Sequence, residues 1–386
     1  MAGSFDAVVV GAGYIGVSVA YHLSKVGLSV ALIDRGKFAA AASRGNYGNI
    51  QIQDMELEHS VDMIQRSAAK FETLEQQLDW KVGLRRMGGL LPVETESQWR
   101  LMEERSRIVR AAGFDSHMVP VERLPDVEPL LETKGLLGGL YHDNEGQVDP
   151  FQFLLGHLVR ARQKGLREFY DTEVTGFLTN GGRMAGVQTI AGDFYAGAVV
   201  LCTGARTRQL GKMLGREWDV RYVLGQAMVS EPVEKSLRCG VASASFFERT
   251  EEGADKGAII ANMAISQSPH GHLLMGEAMY EADHYRLGVP YPSLPGVSRA
   301  AVRYFPSFGK LRVLRGWCSP VAHTEDGCPW LGWVPGIEGL IIATAFRSTV
   351  ISTPLAGETV AQLVTQGKCD WNISRFSPER NIEYAN

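Results

Sequence analysis

At 386 residues with 45% hydrophobic side chains, the chain is long enough to form two domains, each with its own core. Its formal net charge of −4 offers no basic surface for nucleic acid, and its apolar runs fall short of the roughly 18 residues that a membrane-spanning helix needs. The five cysteines are scattered without a C-x-x-C pair, so they favour reduced thiols over a zinc or iron–sulfur site. The first motif leaves no room for a targeting segment before it, and we expect a cytoplasmic protein.

That first motif predicts a strand, a glycine turn, a helix and a second strand. An apolar run at 5–10 leads into Gly-Ala-Gly-Tyr-Ile-Gly at 11–16, a helical pattern covers 14–25, and a β-branched run at 29–33 ends on Asp34. This order is typical of a dinucleotide-binding βαβ unit. Its alternative is a glycine-rich turn that binds no nucleotide.

Each residue of the motif has a physical role in that interpretation. Gly11 permits the sharp turn, Gly13 lets a pyrophosphate approach the backbone, and Gly16 lets the helix pack closely on the sheet. The helix directs its free N–H groups and its positive dipole end at the pyrophosphate. Asp34 is placed to accept hydrogen bonds from the adenosine ribose, which favours FAD or NAD over NADP. An NAD-dependent dehydrogenase therefore stays open at this point.

The remaining elements do not follow a simple βαβ rhythm, which predicts a second domain inserted into the first. A loop of small residues at 39–50 could approach a flat ring or form an ordinary surface loop. Asp149 and Pro150 predict a helix start, the strand at 198–202 opens on a glycine turn, and Pro354 predicts the start of the last helix. Further helices are predicted at 55–79 and 96–112, and strands at 88–93, 135–141, 167–170, 173–178, 184–190, 223–229, 257–264, 272–276, 311–317 and 339–344.

Five separated stretches together resemble the D-amino acid oxidase superfamily of FAD-dependent amine oxidoreductases: 11–16 with Asp34, 43–50, 146–150, 199–205 and 324–354. These stretches follow the same order as in the family and extend over the whole chain. It implies an α/β fold with a Rossmann-like FAD-binding domain of the glutathione-reductase type and an inserted, mainly antiparallel β substrate domain. The expected boundaries are 1–85, 142–219 and 325–386 for the FAD-binding domain, and 86–141 and 220–324 for the substrate domain.

The resemblance also implies which residues bind a non-covalent FAD. The segment at 347–350 is expected to direct backbone N–H groups at flavin O2 and N1, where charge grows as N5 accepts a hydride. Cys202 stands where the family usually has alanine, and Ala345 and Thr349 stand where it often has glycine. The implied cofactor-binding residues are Gly11, Gly13, Tyr14, Ile15, Gly16, Asp34, Arg35, Ser43, Arg44, Asn46, Gly48, Asn49, Val174, Thr203, Gly204, Arg347, Ser348, Thr349 and Val350.

At the substrate end, the arginine–proline pair that glycine oxidase-like members use for the substrate carboxylate is missing. Arg347 becomes the predicted carboxylate partner, and the alternative is that it pairs with a core acid or only stabilises the loop. His323 is a candidate general base, against the simpler role of a hydrogen-bonded structural residue. Trp317 and Trp330 are candidates for the pocket wall or for ordinary core positions.

The implied activity is oxidation of the Cα–N bond of an opine, an imino acid or a D-amino acid. The turn at 324–329 and the segment at 345–348 are most similar to the β subunits of opine oxidases and of hydroxyproline or proline dehydrogenases. Those subunits work with α and small γ subunits that carry further redox centres, such as FMN or an iron–sulfur cluster. The alternatives are a stand-alone glycine- or sarcosine-type oxidase that makes hydrogen peroxide, and a non-catalytic flavin-bearing assembly subunit.

Overall fold

The computed structural model describes residues 3–248, 260–282, 293–378 and 380. The strands are β1 (Ser4–Val10), β2 (Val30–Ile33), β3 (Asn49–Ile50), β4 (Arg85–Arg86), β5 (Gly89–Val93), β6 (Ser116–Pro120), β7 (Gly138–His142), β8 (Gly146–Gln147), β9 (Arg167–Phe169), β10 (Val174–Asn180), β11 (Arg183–Thr189), β12 (Gly192–Leu201), β13 (Arg221–Pro232), β14 (Gly240–Ala242), β15 (Ile260–Gln267), β16 (His272–Ala282), β17 (Val313–His323), β18 (Trp330–Trp333) and β19 (Leu340–Thr344). The helices are α1 (Tyr14–Lys25), α2 (Val61–Leu78), α3 (Glu96–Ala111), α4 (Leu124–Val127), α5 (Pro150–Gln163), α6 (Thr207–Met213), α7 (Ser245–Glu248), α8 (Leu294–Tyr304) and α9 (Thr349–Gln366).

The first large sheet carries the glycine motif. Its strand order is β10-β11-β12-β1-β2-β9, with β19 paired to the second half of β12 and β18 paired to β19. Strands β12, β1, β2 and β9 run parallel, as does β19 beside β12. Parallel strands all end at one edge, so the turns that follow β1, β12 and β19 lie together there.

Helix α1 is the centre of the layer that covers this sheet. Its residues from Tyr14 to Ser24 are buried, because α5 and α9 pack against it. A helix with apolar residues on every side needs such burial, since no face of it suits water. The N-terminus of α1 is thereby held rigidly at the carboxyl end of β1.

The second large sheet is almost wholly antiparallel and has the strand order β17-β13-β16-β15-β14-β5-β7-β6. Among the described strands of this sheet, only β14 and β5 pair in parallel. A small third sheet, β3-β8-β4, brings the segment after the glycine motif against the start of α5. These sheets confirm the predicted fold class, whereas the division into two domains at the stated residues stays a prediction.

Several predicted element boundaries are wrong. The last helix begins at Thr349 and contains Pro354 within it, because burial against α1 outweighs the one backbone hydrogen bond that proline lacks. The helix expected over 55–79 begins at Val61, and the strand expected over 311–317 extends to His323. The strand expected at 257–264 falls partly outside the described residues, and β15 begins at Ile260. The motif at the start of α5 is confirmed: the Asp149 carboxylate accepts hydrogen bonds from Phe151 N and Gln152 N at 2.9 Å.

Candidate active site

The glycine turn after β1 is packed so tightly that larger residues do not fit. A Cβ on Gly11 would lie 2.4 Å from the Cys202 carbonyl oxygen, and its φ of +108° is in the region that favours glycine. A Cβ on Gly16 would lie 1.7 Å from the Gly11 carbonyl oxygen. Gly13 differs, because its added Cβ would approach only the Ser43 hydroxyl, at 2.8 Å, and otherwise enter open space. Gly11 and Gly16 therefore shape the turn, while Gly13 keeps a cavity open above it.

Asp34 lines the cavity directly after β2 and also holds the turn together, while its role at a ribose stays a prediction. Its carboxylate accepts hydrogen bonds from Ala12 N at 2.7 Å and from Gly36 N at 2.8 Å. A carboxylate has about four acceptor positions, so two stay available for hydroxyl groups. Beside it, Glu173 accepts a hydrogen bond from Arg206 at 2.8 Å and lies 4.0 Å from Arg35.

The loop at 39–50 lies over the N-terminus of α1. Ser43 Oγ accepts a hydrogen bond from Tyr14 N at 3.2 Å, and Trp317 Nε1 donates to the Gly45 carbonyl at 3.0 Å. Asn46 Oδ1 accepts from Gly48 N at 2.7 Å, which stabilises the tight turn between them. The loop thus connects the first sheet to β17 of the second sheet.

The turn after β12 lies next to the glycine turn. Gly204 has a φ of +52°, and the Thr203 and Thr207 hydroxyls are 2.8 Å apart. Thr207 Oγ1 in turn donates to Thr344 Oγ1 at the end of β19, at 3.2 Å. These hydroxyl contacts tie together the carboxyl ends of two parallel strands.

The segment after β19 turns sharply into α9. Ala345 has a φ of +59°, in the left-handed region that glycine adopts without strain. This φ explains why glycine suits the position that the family often fills with it. The Ser348 hydroxyl donates to the Gln51 carbonyl at 2.9 Å instead of capping α9. Neither α1 nor α9 has a side-chain cap, whereas α3 and α5 do. Apart from the Tyr14 N–H, which Ser43 accepts, the first N–H groups and the positive dipole ends of these two helices are therefore directed at the same cavity.

One continuous cavity joins all of these segments. It extends from Asp34, Glu173 and Val174 past the glycine turn to the second large sheet. The predicted site residues that line it are Gly11, Gly13, Tyr14, Ile15, Asp34, Arg35, Ser43, Asn46, Asn49, Val174, Thr203, Gly204, His323, Arg347, Ser348, Thr349 and Val350. Trp317 also lines it.

Three predicted cofactor contacts do not line this cavity. Gly16 is used for helix packing, as described above. Gly48 has a φ of +79° and packs on β8, where an added Cβ would lie 2.1 Å from the Val148 carbonyl oxygen. The Arg44 side chain is exposed, because the short turn at Ala42–Gly45 directs it outward. Trp330 is not a wall residue either: it packs edge-on against Trp218 at 6.2 Å.

The cavity fits FAD in its chemical character. A long dinucleotide needs an acidic ribose partner at one end, glycine backbone and a helix N-terminus at its phosphates, and backbone donors at its ring. Asp34, Gly13 with α1, and the start of α9 supply these in that order along one cavity. Cys202 lines it as well, but burial raises the pKa of its thiol well above the usual range, so a reactive thiolate is disfavoured.

Arg347 lies at the far end of the cavity from Asp34. Its guanidinium carbon is 5.5 Å from the centre of the Phe246 ring, and its Nε is buried without a hydrogen-bond partner. No carboxylate oxygen of the described residues lies within 4.0 Å of it. Among the described residues Arg347 therefore makes no ion pair within 4.0 Å, although its charge acts on the nearby Asp54 and Glu277, and its role at a substrate carboxylate stays a prediction.

His323, at the end of β17, is neutral at physiological pH. Burial lowers its pKa to about 4, and the charges of Arg347 and Arg221 add to this shift. A histidine with such a pKa is a weak proton acceptor at neutral pH. Its position is consistent with a wall residue more than with a general base.

Two acidic residues that the sequence analysis missed also line the cavity. Asp54 follows β3 of the small third sheet, and Glu277 lies on β16 of the second large sheet, so two different sheets bring them to the cavity. Glu277 stands in a largely apolar strand, between Gly276 and Ala278, whereas Asp54 stands between Gln53 and Met55 in a mixed segment. For Glu277 that context was an available signal, since a carboxylate within an apolar segment is rarely buried without a purpose, and Asp54 offered none.

Comparison with known proteins identifies the family. The sequence profile of the FAD dependent oxidoreductase family, DAO, matches residues 6–363. The chain is 24% identical to sarcosine oxidase subunit beta of Rhodobacter capsulatus, over 98% of this chain and 90% of that protein.

Two solved structures have the same fold. L-proline dehydrogenase from P. horikoshii superposes with a TM-score of 0.87 at 23% identity, covering 98% of both chains. Glycine oxidase from Geobacillus kaustophilus superposes with a TM-score of 0.87 at 23% identity, covering 98% of this chain and 99% of that one. Among the described helices, none is both long and apolar enough to cross a membrane.

Proposed function

Because this chain belongs to the DAO family of FAD dependent oxidoreductases, we propose that it oxidises the Cα–N bond of an amino acid, with the substrate carboxylate bound by Arg347. The observation that supports this proposal is a guanidinium in the cofactor cavity whose Nε has no hydrogen-bond partner and which makes no ion pair within 4.0 Å with a described residue. A cation that lacks a partner inside a protein is costly unless a ligand supplies the counter-charge. A carboxylate matches the planar, two-pronged donor geometry of arginine.

The protein's own groups would hold and orient the reactants. Asp34, the backbone at Gly13 and the start of α1 would hold FAD at its ribose and phosphates, and the backbone at 348–350 would hold it at the ring. When bound, FAD supplies a hydride acceptor at N5. Arg347 would fix the substrate by its carboxylate, which sets the direction of the Cα–H bond. Phe246 and Trp317 line the same region and would limit the access of water.

We propose an opine, an imino acid or a D-amino acid as the substrate class, and the imine product would be hydrolysed to a keto acid and an amine. Anaerobic mixing of the purified flavoprotein with a panel of sarcosine, glycine, proline, D-amino acids and opines tests this. We expect at least one of them to bleach the flavin absorbance. A yellow protein that none of them reduces would favour a non-catalytic assembly subunit, and a colourless protein would contradict the proposal.

We favour a hetero-oligomer in which this chain is the catalytic subunit. The similarity to a protein named sarcosine oxidase subunit beta supports it. The α and γ partners, and any FMN or iron–sulfur centre that they carry or share, belong to this proposal. It predicts slow reoxidation by oxygen for the isolated chain and faster electron transfer once its partners are added.

A stand-alone oxidase is the second candidate, favoured by the similarity in fold to glycine oxidase along almost the whole chain. It predicts rapid formation of hydrogen peroxide by the isolated chain. A peroxide assay combined with size-exclusion chromatography distinguishes the stand-alone oxidase from the hetero-oligomer. A monomer that turns over rapidly with oxygen would contradict the hetero-oligomer.

A further inference from the structure

The part of the cavity next to Arg347 contains two carboxyl groups with no assigned role. Asp54 and Glu277 both line the cavity, and both side chains are only partly accessible. Neither makes a hydrogen bond or an ion pair with any described residue. Asp54 comes from the segment after β3 and Glu277 from β16, so two separate elements bring these acids together.

Two other acids among the described residues, Glu145 and Glu128, accept hydrogen bonds from backbone donors. Glu145 accepts hydrogen bonds from Ile52 N at 2.8 Å and Gln53 N at 3.1 Å, and Glu128 accepts one from Arg238 N at 2.8 Å. Buried polar groups in folded proteins almost always have such partners. Two acids that lack them on the wall of one cavity indicate that a ligand supplies the donors.

The charges around this pair favour a cationic ligand. Burial raises the pKa of Asp54 to about 6, against the opposing charges of Arg347 and Arg105. Burial, and then the charge of Asp54, raise the pKa of Glu277 to about 7, against Arg347. The Tyr47 phenol faces Glu277 and stays protonated, because burial and the Glu277 charge raise its pKa well above the usual range.

Arg347 and Arg105 oppose the negative charge of this pair. His323 is neutral, as described above. Glu145 lies near Asp54, and burial raises its pKa to about 7. Arg105 also donates to the Met55 carbonyl at 3.2 Å. Arg347 is assigned to the substrate carboxylate, so a cationic group of the same ligand would stabilise the ionised forms of the two cavity acids.

We infer that Asp54 and Glu277 form a subsite for the amino group of the substrate, and that one of the pair accepts its proton before oxidation. This inference rests on the proposed function, since Arg347 would hold the carboxylate of the same molecule. In the step, one N–H bond of the ammonium breaks, its electron pair stays on nitrogen, and the proton bonds to a carboxylate oxygen. No electrons are transferred to or from the protein. The neutral amine that results has the lone pair needed to form the C=N bond.

The charge count also narrows the substrate class. Among the described residues, Arg347 is the one arginine or lysine that lines this end of the cavity, because Arg35 and Arg206 lie at the Asp34 end and Arg105 acts on Asp54 from outside the lining. A substrate with one carboxylate and one amino group has a partner for each charge. An opine carries a second carboxylate, which would lie beside Asp54 and Glu277 and be repelled. The subsite therefore favours monocarboxylate amino acids, such as N-methyl or cyclic ones, over opines.

Binding of a fixed cation tests the subsite without any turnover. Trimethylglycine keeps its positive charge at every pH and has no N–H proton, while (methylthio)acetate has a neutral sulfur in place of the nitrogen. Calorimetry on the FAD-loaded protein should show trimethylglycine binding about tenfold tighter at pH 8.5 than at pH 5.5. The sign follows from the raised pKa values, since the carboxyls are charged above them and protonated below them.

Two variants and a matched control complete the binding test. Glu277→Gln and Asp54→Asn should each weaken trimethylglycine at pH 8.5 about tenfold, flatten its pH dependence, and change (methylthio)acetate binding less than twofold. Glu281→Gln, an exposed acid on the same strand, should bind both ligands as the wild type does. The inference is overturned if the wild type does not bind trimethylglycine, if both variants bind it normally, or if both ligands weaken equally.

Proton acceptance is tested with whichever amine reduces the flavin in the panel above. The rate of anaerobic reduction by Glu277→Gln should fall at neutral pH and recover at high pH, where the free amine is already neutral. An unchanged pH profile in both variants would overturn the proton-accepting role. If no amine reduces the flavin, the proposed function fails, while the trimethylglycine titration still decides whether the cation subsite exists.

Discussion

Replacement of Arg347 by alanine tests the substrate anchor most directly. A charge-assisted hydrogen bond contributes about 1.5–3 kcal/mol, and removal of one partner of a paired carboxylate costs about 3–5 kcal/mol. The Arg347 side chain is only partly buried, so water screens it and the lower end, about 3 kcal/mol, applies. At 1.4 kcal/mol per factor of ten, this predicts a roughly 100-fold loss of substrate affinity.

The assay for this variant is anaerobic flavin reduction at varied substrate concentration, with the apparent Kd as the readout. Arg347→Lys retains the charge but loses the two-pronged geometry, so we expect an intermediate loss of about tenfold. Arg312→Ala, at an exposed arginine, is the control and should leave Kd unchanged. FAD content and the melting temperature should stay within error of wild type in all three. An unchanged Kd in Arg347→Ala would refute the assignment of the carboxylate to this residue.

Three further predictions follow from the cavity and the core. Gly13→Ala places a methyl group in the cofactor cavity and should lower FAD affinity at least tenfold with little effect on folding. The control Gly197→Ala, whose added Cβ meets only one oxygen at 3.7 Å, should bind FAD normally. Equilibrium dialysis with FAD distinguishes the two variants. Ala345→Gly relieves the strain of a left-handed φ and should raise the free energy of unfolding by about 0.5–1 kcal/mol, while Ala345→Val should lower it. Urea denaturation measures both, and equal stability of the two variants would contradict the strain argument. Burial lowers the pKa of His157 to about 3. Below pH 6.5 the unfolded chain therefore binds more protons than the folded one. As the pH falls from 6.5 toward 4, this residue should lower the free energy of unfolding by about 1.4 kcal/mol per pH unit. His157→Phe should reduce that slope in denaturation measured at several pH values, and His270→Phe, at an exposed site, should not.

The cofactor end of the site was predictable because its parts are close in the chain. The turn from Gly11 to Gly16 and the acid at Asp34 belong to one βαβ unit, whose geometry depends on local backbone sterics. Distant segments such as 203–204 and 347–350 were placed by their resemblance to a family, and the structure brings them to the same cavity. Local spacing could not have shown this alone.

The errors of prediction arise where packing overrides local signals. Pro354 is a common start signal, yet burial of α9 against α1 extends the helix one and a half turns before it. Arg44 lies within a motif that is otherwise part of the cavity wall, but its side chain points to solvent. The direction of a side chain in a loop depends on contacts that the sequence does not display.

The sequence by itself determined the fold class, the FAD-binding motif and the family, because these rest on short-range spacing and on segments that recur in order. Only the tertiary structure brought Asp54 and Glu277 to the same cavity as Arg347, from three separate elements of the fold. Charge interactions depend on distance and burial, and neither is encoded in local spacing. The chemistry of the substrate end is therefore a property of the folded protein.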